Sequence, residues 1–106
     1  MREIKFRAWG GGKMEYDFNP FPFTFNTHGY IIEQFTELQD KNGVDIYEGD
    51  YICLDGLKTH RWEICYRGSG FIASPLSGNS IIEYRTLQNN NYLQFEVIGN
   101  IHTTEL

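Results

Sequence analysis

Gly68-Ser69-Gly70-Phe71-Ile72-Ala73 has the G-x-G-x-x-A spacing of a dinucleotide fingerprint, whose glycines let backbone approach a pyrophosphate held at a helix N-terminus. The surroundings oppose that chemistry. Pro75 disfavours the helix the motif must open, and no strand–helix–strand unit fits beside it, so the stretch reads as a hairpin turn. A second candidate is the oxygen-rich run Asp40, Asn42, Asp45, Glu48 and Asp50, which carries the hard donors that calcium prefers. With Asp40 as first position, Gly43 is fourth, Val44 takes the fifth place, and Tyr51 stands where an EF-hand needs its closing Glu. The side chains of Asp40 and Asn42 are expected to bond local turn amides instead, with the other acids solvated. Cys53 and Cys65 could in principle meet His28, His60 or His102, but no short spacing joins them into a thiol nucleophile with its base or into a zinc site. No catalytic, cofactor-binding or metal-binding residue is assigned, no cofactor is implied, and the chain is not expected to be an enzyme.

Binding chemistry has two candidate carriers. The aromatic run Tyr16, Phe18, Phe21, Phe23 and Phe25 is interleaved with Pro20 and Pro22, which cannot donate to a sheet ladder and so place it at an edge or outside a sheet. Those rings either fill the domain's own core or present a surface for a second copy or another protein. Lys5, Arg7 and Lys13, with exposed aromatics as stacking platforms, are the alternative: a nucleic-acid-binding module. Charge disfavours it. The net charge is −5, and from Glu33 to Asp55 seven acids face Lys41 alone, so an acidic middle repels phosphates.

The elements that must position these groups read as short strands. Ile4, Phe6 and Ala8 alternate with Lys5, Arg7 and Trp9, which predicts a strand with one covered face and one wet face. Gly10 to Gly12 turn it back into Met14–Phe18. Tyr30–Leu38 reads as a strand, with one or two helical turns as the alternative. Asn42-Gly43 suggests a type I′ turn, and Glu48-Gly49-Asp50 a second reversal, leaving Val44–Tyr47 as a very short extended piece. Tyr51–Leu54 follows as an apolar strand, and a loop runs from Asp55 to near His60. Arg61–Arg67 alternates, placing Trp62, Ile64 and Tyr66 inward and Arg61, Glu63 and Arg67 in water. Phe71–Ser74 is the next strand, Ile81–Leu87 is strand or short helix, and Tyr92–Ile101 is a closing strand interrupted at Gly99, with Phe95 inward.

A chain of 106 residues supports one core, hence one domain over 1–106. Eight Phe, seven Tyr and two Trp suit pleated surfaces, and many short strands with glycine turns indicate a small barrel or sandwich. No apolar run is long enough for a membrane helix, and the start from Met1 lacks the apolar core of a signal peptide. The expected location is the bacterial cytoplasm, without membrane attachment. In those reducing surroundings Cys53 and Cys65, on consecutive strands that might bring them face to face, are expected as free, half-buried thiols.

Three segments together resemble the YopX family of phage and prophage proteins: Arg2-Glu3-Ile4-Lys5-Phe6-Arg7-Ala8-Trp9, the stretch Leu38–Ile52, and Glu96-Val97-Ile98-Gly99-Asn100-Ile101 with Glu105-Leu106. The resemblance implies a small, largely β protein carried by bacteriophages and transfers no functional residue. Glu37 departs from the pattern, since the family commonly has Gly between Thr and Leu; so do Gly10–Gly12, where a charged stretch is typical. The expected architecture is mainly β, a small SH3-like barrel with short hairpins, irregular loops and little helix. The expected role is a non-enzymatic accessory protein that binds a host or phage protein or assembles with itself.

Overall fold

The structure, a computed structural model, describes residues 4–18, 29–54, 57–68, 70–76, 80–83 and 95–104. Among these the chain forms nine strands and no helix: β1 (Phe6–Gly10), β2 (Lys13–Phe18), β3 (Ile31–Gln39), β4 (Asp45–Tyr47), β5 (Asp50–Leu54), β6 (Leu57–Arg67), β7 (Gly70–Pro75), β8 (Ile82–Glu83) and β9 (Phe95–Asn100). Every pairing is antiparallel, in two sheets ordered β2-β1-β3-β4 and β8-β7-β6-β5-β9. The sheets curl into a half-barrel, the mainly β, barrel-like architecture the sequence indicates. No helix of the described residues is long and apolar enough to cross a membrane.

Local chemistry accounts for the turns. Gly11 and Gly12 sit at φ 61° and 79°, and Gly10 pairs with Lys13, so β1 and β2 are joined by the two-residue type I′ turn that right-twisted strands favour. The turn before β4 is different from the type I′ expectation. Gly43 N–H donates to Asp40 C=O at 3.0 Å, Gly43 has φ 80°, and Asn42 keeps a negative φ, which is a type I turn followed by a left-handed glycine. Asp40 decides this. Its Oδ1 accepts from the amides of Asn42 at 2.8 Å and Val44 at 2.9 Å, which locks the tighter geometry.

The other Asp40 oxygen reaches across the molecule to accept from Val97 N–H at 2.9 Å, while Lys41 N–H donates to Phe95 C=O at 2.9 Å. β4 ends one sheet and β9 ends the other, so these two bonds suture the sheets at that seam. Ile46, Ile52, Trp62, Ile64, Phe71, Ala73 and Phe95 form the buried cluster beneath it, with Leu38, Leu54, Ile82 and Val97 packed against it. Trp62 meets Phe95 edge-on at 6.0 Å, and its Nε1–H donates to Ser80 C=O at 2.9 Å.

Several expectations are corrected. Tyr66 is 50% exposed, because it lies beside the turn that joins β6 and β7 and only rests edge-on against Phe71. The loop expected up to His60 is shorter: β6 begins at Leu57, which pairs with Leu54 across a two-residue connection. Tyr30–Leu38 resolves as strand β3, Ile81–Leu87 is strand at Ile82–Glu83, and residues 84–87 lie outside the described residues. Cys53 is fully buried rather than half-buried. Both cysteines are free; Cys53 pairs with Arg61 and Cys65 with Ile72, so the two do not face one another.

Glu37 is the one described non-glycine residue with a positive φ, 73°. It sits in a bulge where Phe35 to Gln39 on β3 spans only Tyr47 to Asp45 on β4. Thr36 stabilises the bulge, its Oγ1 donating to Ile46 C=O at 2.7 Å and accepting from Leu38 N–H at 3.1 Å. The glycine expected from the resemblance at this position thus has a backbone reason. Glu37→Gly should raise the unfolding free energy by roughly 0.5–1 kcal/mol, the relief of the left-handed conformation less the added freedom of the unfolded chain, as read from denaturant titration.

Candidate functional site

The β1 alternation is real, but the face assigned to water is covered as well: Ala8, on the face expected inward, is fully buried, and so is Arg7 on the other face. Ile4 is 64% exposed, whereas Arg7 is 2% exposed. Lys5 reaches Asp45 at 2.6 Å and lies 4.4 Å over the Phe35 ring, and Trp9 stacks on His102 at 5.1 Å and 11°. Between them Arg7 is directly opposite Glu33 on β3, so the ladder register itself aligns the ion pair of Arg7 Nε with Glu33 Oε1 at 2.7 Å. Arg7 Nη1 meets Asp50 Oδ1 at 2.7 Å, Nη2 donates to Glu48 C=O at 3.2 Å, and the guanidinium lies 4.9 Å over the Tyr47 ring. A buried cation with this many partners is tolerated where a lone one is not.

The partners are held in turn. Asp50 Oδ2 accepts from Tyr47 N–H at 2.8 Å across the Glu48-Gly49-Asp50 reversal. Gly49 has φ 90°, and a Cβ there would collide with the Glu33 carboxylate, so the reversal demands glycine for both backbone and space. Glu33 Oε2 contacts His102 Nε2 at 2.9 Å. His102 is placed by Asn100, whose Oδ1 accepts from the amides of His102 at 2.9 Å and Thr103 at 3.0 Å.

One guanidinium faces two carboxylates, and this sets the electrostatics. Burial alone would lower the Arg7 pKa, but Asp50 and then Glu33 outweigh it and hold the guanidinium above its ordinary value. Asp50 is pushed up to about 6, first by burial and further by Glu33, against the opposing pull of Arg7 and the Tyr47 amide. Burial also pushes Glu48 up. Asp45 moves the other way: burial is outweighed by its hydrogen bonds from Lys5 and Gln39, which lower it. Cys65 is pushed up by burial and by Glu63, the reverse of what a thiolate nucleophile needs.

Beside this cluster lies a pocket of about 280 Å³ lined by Arg7, Tyr16, Val44, Asp45, Tyr47, Asp50, Val97, Gly99 and Asn100. It occupies the seam between β4 and β9 beyond the Asp40 suture. Tyr16, opposite Arg7 on β2, is 57% exposed and meets Tyr47 edge-on at 5.7 Å. The structure therefore brings together the first ring of the aromatic run and the acidic double turn. Phe18 lies in β2, but its side chain and Phe21, Phe23, Phe25 and His28 lie outside the described residues. The acids weighed as calcium ligands disperse: Asp40 takes amides, Asp45 takes Lys5 and Asp50 takes Arg7, which corrects the expectation that Asp45 and Asp50 stay solvated. Among the described residues no group of three His, Cys, Asp or Glu could hold a metal ion. Glu33, Asn100 and His102 joined the site unannounced, since they lie 26 and more residues from Arg7 and only the β1–β3 pairing and the final turn deliver them.

Two outcomes follow from this chemistry. Arg7→Met should cost roughly 3–5 kcal/mol in denaturant unfolding, because it strands two buried carboxylates. Asp50 binds its proton more tightly folded than unfolded, where aspartate titrates near ~3.9. Its stabilising contribution is thus complete below pH ~4 and is lost as pH rises through about 6. The gap between the two values corresponds to about 3 kcal/mol. An NMR titration of the Asp50 carboxyl should show its midpoint near about 6, and this decline should be missing from the pH–stability curve of Asp50→Asn.

Comparison with known proteins gives this architecture a family. The chain is similar to the crystal structure of protein EF1440 from Enterococcus faecalis, with a TM-score of 0.64 and 25% sequence identity over 94% of each chain. No curated protein matches it. The family profile described as YopX protein matches residues 13–105, which span β2 to the final turn and include the Asp40 suture, the Glu37 bulge and every pocket-lining residue except Arg7. The chain belongs to the YopX family.

Proposed function

We propose that the chain is a non-enzymatic accessory protein of phage or prophage origin that works in the bacterial cytoplasm by gripping a protein partner at the β4–β9 seam. The observation that carries this reading is the convergence of exposed Tyr16 with Val44, Asp45 and the Arg7–Asp50 pair around one pocket of about 280 Å³. That volume is at the small end of ligand sites and suits a single side chain better than a cofactor. Tyr16 supplies a large amphipathic ring of the kind that anchors protein interfaces, and Val44, also exposed, extends the apolar rim.

The binding of nucleic acid by the first strand finds less support. Lys5 is committed to Asp45 and Arg7 is buried between Glu33 and Asp50, which leaves Lys13 as the exposed cation of the trio, 3.7 Å from Glu15. A phosphate backbone requires several accessible cations.

A photo-crosslinking residue in place of Tyr16 should join the protein to one discrete partner, or to a second copy of itself, in bacterial cells carrying the phage. The same residue in place of Tyr66, exposed on the β6–β7 hairpin, should not. Equal crosslinking from both positions, or none from position 16, would remove the seam as the binding surface.

A further inference from the structure

The charges around the pocket are unequal. Among the residues that line it, Arg7 is a cation and Asp45 and Asp50 are carboxylates; behind the wall Lys5 pairs with Asp45, and Glu33 pairs with Arg7 and contacts His102. Arg7 is divided between Glu33 and Asp50 and has a carbonyl besides, so its guanidinium is not available to an anion. An incoming carboxylate or phosphate would meet uncompensated negative charge. An incoming cation would supply what the site lacks.

The shape agrees with the charge. Val44 and Val97 give apolar walls for a methylene stem, and Tyr16 and Tyr47 give π surface beside the acids. The Tyr47 ring already carries a guanidinium at 4.9 Å, so this fold uses that pairing internally. The Tyr16 ring is exposed and offers the same kind of face at the mouth.

We propose that the occupant of this pocket is the positively charged side chain, arginine or lysine, of a partner polypeptide. The proposal rests on the preceding reading of the seam as a binding surface and adds the chemistry of what is bound. The stem lies along Val44 and Val97, the cation reaches towards Asp45 and Asp50, and Tyr16 covers it.

The test is a nitrogen-15 NMR titration with Nα-acetyl-arginine amide, run beside the leucine and glutamate counterparts. Saturable shifts at the amides of Val44, Asp45, Gly99 and Asn100 are expected with the arginine probe, weak ones with leucine and none with glutamate. Tyr16→Ala should weaken arginine binding by about fivefold, as an exposed cation–π contact requires. Asp45→Asn, which leaves Lys5 without its carboxylate, should weaken it as well. A pocket that takes leucine or glutamate as well as arginine, or an arginine affinity unchanged in both variants, overturns the cationic assignment while leaving the seam as a binding surface. Failure of all three probes to shift these amides overturns the assignment and the seam together.

Discussion

The buried guanidinium of Arg7 is the constraint around which the described elements are arranged. Removing a charge from water is expensive, and it is offset only when opposite charges and hydrogen-bond acceptors arrive in the right geometry. Here four groups come from three places: Glu33 from β3, Asp50 and the Glu48 carbonyl from the β4–β5 reversal, and Tyr47 from β4. Glu33 extends the network to His102, and His102 lies on Trp9, so the final turn is fastened back onto the first strand. The lack of a side chain at Gly49 lets that meeting happen, since any other residue would occupy the space of the Glu33 carboxylate.

A second constraint works on backbone rather than charge. β4 and β9 are the ends of two sheets, and a sheet end presents amides and carbonyls that need partners. Asp40 meets this at one end of the seam, taking two amides of its own turn and one of β9. Beyond that suture the seam is open, and the pocket forms there. The pocket is therefore a consequence of how the half-barrel is closed, with a tied end at Asp40 and an acidic, ring-lined end at Asp50. Because Asp50 belongs to both the Arg7 cluster and the pocket wall, the charge that holds the fold together also sets the polarity of the opening.

The surplus of carboxylate over guanidinium gives this arrangement its character. Asp50 shows the cost: burial first, and the nearby Glu33 carboxylate after it, push its carboxyl up to about 6 although Arg7 and the Tyr47 amide pull the other way. The same imbalance is what a binding partner would feel. Thiol chemistry has no comparable footing, since Cys53 is fully buried and Cys65 is pushed up by burial and Glu63.

Local chemistry was legible in the residues themselves. The glycine hairpins, the three-residue strand between two reversals, the β class and the inward Trp62, Ile64 and Phe95 all depend on interactions within a few residues or on simple alternation. Even the awkward backbone at Glu37 left a trace, because the glycine that the resemblance leads one to expect there suits a positive φ. The face of β1 was another matter. Alternation shows that Lys5, Arg7 and Trp9 share one side, but a charged side reads as wet unless the opposing charges are known to arrive, and those come from positions 33, 45 and 50. The pocket was equally hidden, for it is built by the register that sets Tyr16 and Glu33 on either side of Arg7 and by the curl that brings β9 to β4. Sequence by itself determined the pieces, because turns and strand alternation are settled by neighbours along the chain. Tertiary structure alone decided that the charged face of β1 was covered too and where the opening lay, because burying a charge depends on partners that only the folded sheets bring within reach.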